Sequence, residues 1–144
     1  MMASSTYRGQ CFCGAVKFEV TGAPKEMGYC HCESCRSWSA SPLNGFTLWD
    51  TKDIAITGGE DQVGEYRKTE NSHRRFCRNC GGHLMTYHPE MGLIDVFSAM
   101  LPELVFKPEL HVHYGEKVLS VLDELPKFAD LPAELGGSGV QLTE

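Results

Sequence analysis

The chain has 144 residues, 42% of them hydrophobic and 22% charged, with a formal net charge of −6. This is the size of one modest soluble domain, with enough apolar residues for a real core. The acidic balance argues against a general nucleic-acid or acidic-membrane binder, and no apolar run approaches the roughly 20 residues that a membrane span needs.

The first residues, Met1-Met2-Ala3-Ser4-Ser5-Thr6, lack the basic and apolar segments of a secretory leader, so a cytoplasmic location is expected. Gly9-Gln10-Cys11-Phe12-Cys13-Gly14 is a C-x-C with flanking glycines that allow a tight loop. Directly after it, Val16, Phe18 and Val20 alternate with Lys17 and Glu19, the period-2 pattern of a half-buried strand. Cys30-His31-Cys32-Glu33-Ser34-Cys35 follows, with a helical turn or two expected around Glu33 to Trp38. Phe46 with Leu48, and Ile54 with Ile56, repeat the strand pattern. Five of the thirteen basic residues, Arg67, Lys68, Arg74, Arg75 and Arg78, lie between positions 67 and 78. They read first as a solvated strand-turn-strand face, and second as an anion-binding rim.

Phe76-Cys77-Arg78-Asn79-Cys80-Gly81-Gly82 is a C-x-x-C turn of the zinc-knuckle kind. Leu93 to Phe97 is a nearly continuous apolar run, as in a central strand, and another short turn is expected near Pro102 to Phe106. Leu110, Val112 and Tyr114 alternate with His111 and His113, a same-face pair whose spacing could ligate metal or shuttle a proton but which reads first as the wet face of an edge strand. Gly136-Gly137-Ser138-Gly139 marks residues 135–144 as a flexible tail. Fifteen glycines and seven prolines break the chain into short strands, with no uninterrupted, well-capped amphipathic helix of about 12 or more residues. The expectation is an all-β fold, sandwich or barrel-like, in a single domain over residues 1–134.

All seven cysteines fall into three clusters: Cys11 with Cys13; Cys30, Cys32 and Cys35; Cys77 with Cys80. In a reducing compartment clustered cysteines point to metal rather than disulfides, and an odd count fits a closed disulfide framework badly. Zn²⁺ takes four ligands in a tetrahedron, so seven sulfurs divide into one closed site and one with an open position. The compact middle triad can claim a zinc alone, leaving the outer pairs to share another. A zinc ribbon of Cys32 and Cys35 with Cys77 and Cys80 is the competing arrangement.

Three segments together carry a resemblance. Gly9-x-Cys11-x-Cys13-Gly14-x-Val16-x-Phe18, Cys30-His31-Cys32-x-x-Cys35-Arg36 and Phe76-Cys77-x-x-Cys80-Gly81 resemble the glutathione-dependent formaldehyde-activating enzyme family, which includes the centromere protein V type domain. Pro108-Glu109-Leu110-His111-Val112 and Asp123-Glu124-Leu125-Pro126-Lys127-Phe128 are similar to its C-terminal pattern, so the likeness runs from about Tyr7 to Phe128. The resemblance implies an Mss4-like zinc-binding β fold. It implies a structural zinc on Cys11, Cys13, Cys77 and Cys80, and a catalytic one on Cys30, Cys32 and Cys35.

Three thiolates leave a bound Zn²⁺ site with net charge about −1, a poor activator of water but a suitable host for a fourth sulfur. The expected ligand is therefore a low-molecular-weight thiol such as glutathione, held beside an aldehyde in a carbon–sulfur lyase reaction. Arg36 is the candidate grip on a ligand carboxylate, and Trp38 a pocket wall. His31 is a weaker ligand candidate that should point away from its neighbours' sulfurs; His73, His83 and His88 are possible acid–base groups. A thiol carrier without catalysis, and a structural zinc module docking a macromolecule, are the rival functions.

Overall fold

The computed structural model describes residues 5–144; the leader reading of Met1 to Ser4 falls outside them. In chain order the elements are β1 (Thr6–Gln10), β2 (Lys17–Thr21), β3 (Glu26–Cys30), helix α1 (Glu33–Ser39), β4 (Asn44–Asp50), β5 (Ile54–Gly58), β6 (Val63–Thr69) and β7 (Ser72–Cys77). They continue with β8 (His83–His88), β9 (Leu93–Phe97), β10 (His111–Val112), β11 (Lys127–Phe128) and β12 (Gln141–Leu142), with single 3₁₀ turns between several of them. The fold is all-β with one short helix, as expected. None of the described helices is long and apolar enough to cross a membrane.

The described residues form two compact units, each assembled from separated segments. One comprises the described residues up to Glu26 with Thr47–Phe106; the other comprises Met27–Phe46 with Lys107–Glu144.

In the first unit β1, β2 and β5 pair antiparallel, and β6 to β9 form an antiparallel meander. Alternation in β2 sends Phe18 and Val20 inward, where they join Val16, Trp49, Leu84, Met85, Ile94, Val96 and Leu101 in one apolar cluster. Each such side chain contributes about 1.5–3 kcal/mol by leaving water. Cys11 and Cys77 are buried in the same cluster, so one metal group is anchored to the core. The buried Trp49 indole donates to Thr47 Oγ1 at 2.8 Å, and that hydroxyl donates to the Val96 carbonyl at 2.6 Å. The indole N–H of Trp49 and the hydroxyl of Thr47 are thus both satisfied inside the core.

In the second unit β10 lies between β3 and β11, parallel to both, and β12 pairs antiparallel with β11. The segment read as a tail therefore contains a paired strand. Gly28 is a glycine for a local reason: a Cβ there would stand 2.5 Å from the Leu110 carbonyl oxygen. Only a residue without a side chain lets β3 approach β10 at that point.

Candidate metal centres

In the first unit the sulfurs of Cys11, Cys13, Cys77 and Cys80 all lie within 4.8 Å of one another. The Cys11–Cys13 and Cys13–Cys77 separations are 3.7 and 3.8 Å. Four sulfurs about 2.3 Å from a tetrahedral ion would stand about 3.8 Å apart, so this spacing already fits one ion. Two tight loops produce it. In the first, Gly14 N donates to the Cys11 carbonyl and Val16 N to Cys11 Sγ at 3.2 Å; Gly14 takes a φ of +79° that suits glycine. In the second, Gly81 N donates to the Cys77 carbonyl, and Asn79 N and Gly82 N reach the sulfurs of Cys77 and Cys80 at 3.3 Å each.

Donors aimed at sulfur favour the thiolate form that a metal needs. The amide of Asn79, followed by the Ala15 backbone, pulls the Cys13 thiol down to about 6. Burial instead pushes Cys77 up to about 11, so this sulfur needs a cation to ionise at neutral pH. Phe12, between the two loop cysteines, is 93% exposed.

In the second unit Cys30, Cys32 and Cys35 bring their sulfurs within 4.8 Å of one another, and no fourth histidine, cysteine or carboxylate joins them among the described residues. Cys30 ends β3 and is buried; Cys35 is buried inside α1. Cys32 is the N-cap of α1, with its Sγ accepting from Cys35 N at 3.2 Å, and it is the accessible member of the group. Hydrogen bonds from Cys30 and Cys35 hold the Cys32 thiol well below the ordinary range, while the same interactions push Cys30 up. The seven sulfurs therefore fall into a four and a three, rather than the zinc-ribbon grouping.

His31 stands apart from its flanking sulfurs. Its Nε2 is 2.8 Å from His111 Nδ1; His111 Nε2 is 2.9 Å from Asp123 Oδ2; and Lys127 Nζ donates to Asp123 Oδ1 at 2.8 Å. Both imidazoles are fully buried and Lys127 is only 3% exposed. This corrects the edge-strand expectation for the His111–His113 pair. β10 has a neighbour on each side and ends at Val112, so His111 is interior while His113 leaves the strand. Two-residue alternation reports a shared face but not what covers it.

Asp123 holds this network together. Burial pushes its carboxyl up, but hydrogen bonds from Lys127, His111 and the Leu125 amide outweigh that and bring it from 3.8 to about 2. A depressed carboxyl contributes stability above its unfolded value and loses it as pH falls through its folded value. Asp123 is thus worth about 2 kcal/mol at neutral pH, fading between about pH 5 and 2. The expected outcome is that Asp123→Asn lowers the urea unfolding free energy by about that amount at pH 7, with the gap to wild type closing toward pH 3.

Arg36 donates from Nε to the His31 carbonyl at 3.0 Å and from Nη2 to the Glu116 carbonyl at 3.1 Å, bracing the loop that carries the cysteines. Trp38 lies half-buried on α1. His73 is engaged by the Glu70 carbonyl and Glu65, His88 by the Asn71 carbonyl, and His83 stacks on Phe97 at 4.3 Å, where burial lowers it to about 3. In the basic segment Arg67 and Arg75 both pair with Glu65, and Arg74 is buried, which fits the strand-turn-strand reading better than a free anion rim. Glu116 and Asp123 were not singled out by sequence reasoning as site residues. Asp123 opens the Asp-Glu-Leu-Pro-Lys-Phe segment quoted above, which was the available signal.

A family model described as glutathione-dependent formaldehyde-activating enzyme matches residues 6–116. An uncharacterized lyase of Schizosaccharomyces pombe is 35% identical over 75 residues, covering 52% of this chain and 53% of that protein. The chain thus spans about half the length of that relative. A putative glutathione-dependent formaldehyde-activating enzyme of Halomonas elongata is 26% identical over 112 residues, covering 73% of this chain and 71% of the other. A crystal structure of a Rhodobacter sphaeroides protein shares the fold with a TM-score of 0.56 at 22% identity, over 68% of this chain and 90% of that one.

Proposed function

The chain belongs to the glutathione-dependent formaldehyde-activating enzyme family, and from that membership we propose that it is a cytoplasmic, zinc-dependent carbon–sulfur lyase. It joins a low-molecular-weight thiol such as glutathione to an aldehyde, formaldehyde in the simplest case, or reverses that addition. The reading is carried by one observation: three cysteine sulfurs converge with no fourth protein ligand among the described residues, and the accessible one, Cys32, marks the open side.

The four-cysteine group suits a structural Zn²⁺, because all four corners come from the protein. The three-cysteine group suits a second Zn²⁺ with one position left for substrate. Zinc bound there lowers the pKa of an incoming thiol and holds the sulfur beside its electrophile. The protein does the rest by placement. Cys30 and Cys35, both buried, would hold the ion from the interior, and Cys32 would hold it from the accessible side. Arg36 and Trp38 contact the substrate from α1, Arg36 using the guanidinium edge not engaged by the His31 and Glu116 carbonyls.

The reaction is followed by exchange NMR of glutathione and formaldehyde with their S-hydroxymethyl adduct. Catalytic amounts of the zinc-loaded protein are expected to accelerate exchange at least 100-fold over the spontaneous reaction, and chelator-stripped protein to lose the effect. A bound adduct exchanging at the spontaneous rate would make the protein a thiol carrier instead.

A further inference from the structure

We propose that His113, oriented by Glu116, is the acid–base residue of this site, carrying one proton from the incoming thiol to the new alkoxide. The inference deepens the lyase reading and rests on it.

The geometry is specific. His113 follows β10 with φ +52°, in the left-handed region that is uncommon outside glycine. Two backbone bonds pin it there, from His113 N to the Asp130 carbonyl at 2.7 Å and from Glu116 N to the His113 carbonyl at 3.0 Å. Non-glycine residues held in such conformations concentrate at functional sites. The conformation takes the side chain out of the β10 alternation that buries His111. Its Nδ1 meets Glu116 Oε2 at 3.2 Å, and 29% of the side chain is exposed, so substrate can reach it. The other oxygen of the same carboxylate accepts from Glu33 N at 3.1 Å, the amide directly after Cys32. One carboxylate therefore ties the imidazole to the start of α1, where Cys32 is the cap.

With Nδ1–H donated to Glu116, Nε2 of the neutral ring is the lone-pair nitrogen that takes up and returns the proton, and it has no protein partner among the described residues. The thiol loses its S–H proton to Nε2 as it enters the site. The sulfur lone pair then forms the carbon–sulfur bond, the C=O π pair moves to oxygen, and the alkoxide takes the proton back from Nε2. No electron is gained or lost, and the imidazole ends neutral. Glu116 is a positioning residue, holding the tautomer and ring orientation.

The test variant is His113→Asn, because asparagine tolerates the left-handed backbone and removes only the imidazole. With glutathione and formaldehyde, zinc-loaded His113→Asn should exchange adduct about 100-fold more slowly, with metal content and glutathione affinity within twofold of wild type. Exchange within threefold of wild type overturns the proposal while leaving the lyase reading intact. If wild type itself does not accelerate exchange, the lyase reading fails and a second measurement decides. The ¹⁵N resonance of His113 Nε2 should shift when glutathione alone saturates the protein, and Glu116→Gln should displace it toward the other tautomer. An Nε2 resonance indifferent to glutathione overturns the assignment whatever the activity.

Discussion

Cys32→Ser is expected to abolish thiol capture and lower adduct exchange by at least 100-fold while leaving the fold intact. The reason lies in the two roles of this residue. As a sulfur it is the accessible corner of the triad, and a serine hydroxyl, which stays protonated near neutral pH, cannot replace a thiolate as a ligand. As an N-cap it accepts the Cys35 amide, and serine is among the best residues for that task. The urea midpoint of Cys32→Ser should therefore correspond to a change below about 1 kcal/mol. Unfolding as severe as that of a core cysteine variant would show that the triad is structural.

Cys77→Ser is expected to give the contrasting result, loss of the fold with loss of the metal. Cys77 is fully buried in the apolar cluster, and its sulfur stands 3.8 Å from Cys13. The substitution removes one corner of a closed site and places a hydroxyl in the core. Structural zinc contributes on the order of 10 kcal/mol in small zinc-dependent domains, against a total stability of about 5–15 kcal/mol for ordinary domains. The variant should therefore melt without a cooperative transition at 25 °C, or reach the insoluble fraction. A cooperative melt near the wild-type temperature with one metal lost would contradict a structural role for this group.

The contrast between the two cysteines depends on burial, and burial is where the sequence was least explicit. Spacing alone divided the sulfurs into four and three, because loops of one or two residues leave a metal few ways to be shared. β2, β4, β5 and β9 were legible because their apolar residues alternate or run together. β3 was not: Glu26-Met27-Gly28-Tyr29-Cys30 has no alternation, and its glycine is explained only by the nearness of the Leu110 carbonyl. The interior position of His111 was equally invisible, since the strands that cover it come from Tyr29–Cys30 and Lys127, about 80 and 16 residues away. The partnership of His113 with Glu116 escapes a sequence reading for a different reason. Their pairing depends on a left-handed backbone that follows β10, and period-2 reasoning runs straight through it.

The most direct test of the whole account is native mass spectrometry of zinc-loaded wild type and Cys32→Ser, each titrated with glutathione. The account predicts two zinc ions and one glutathione on wild type, and on Cys32→Ser a folded protein that keeps the four-cysteine zinc and carries no glutathione. Wild type that binds no glutathione, or a Cys32→Ser protein that binds it undiminished, would contradict an open thiol-binding position at the triad.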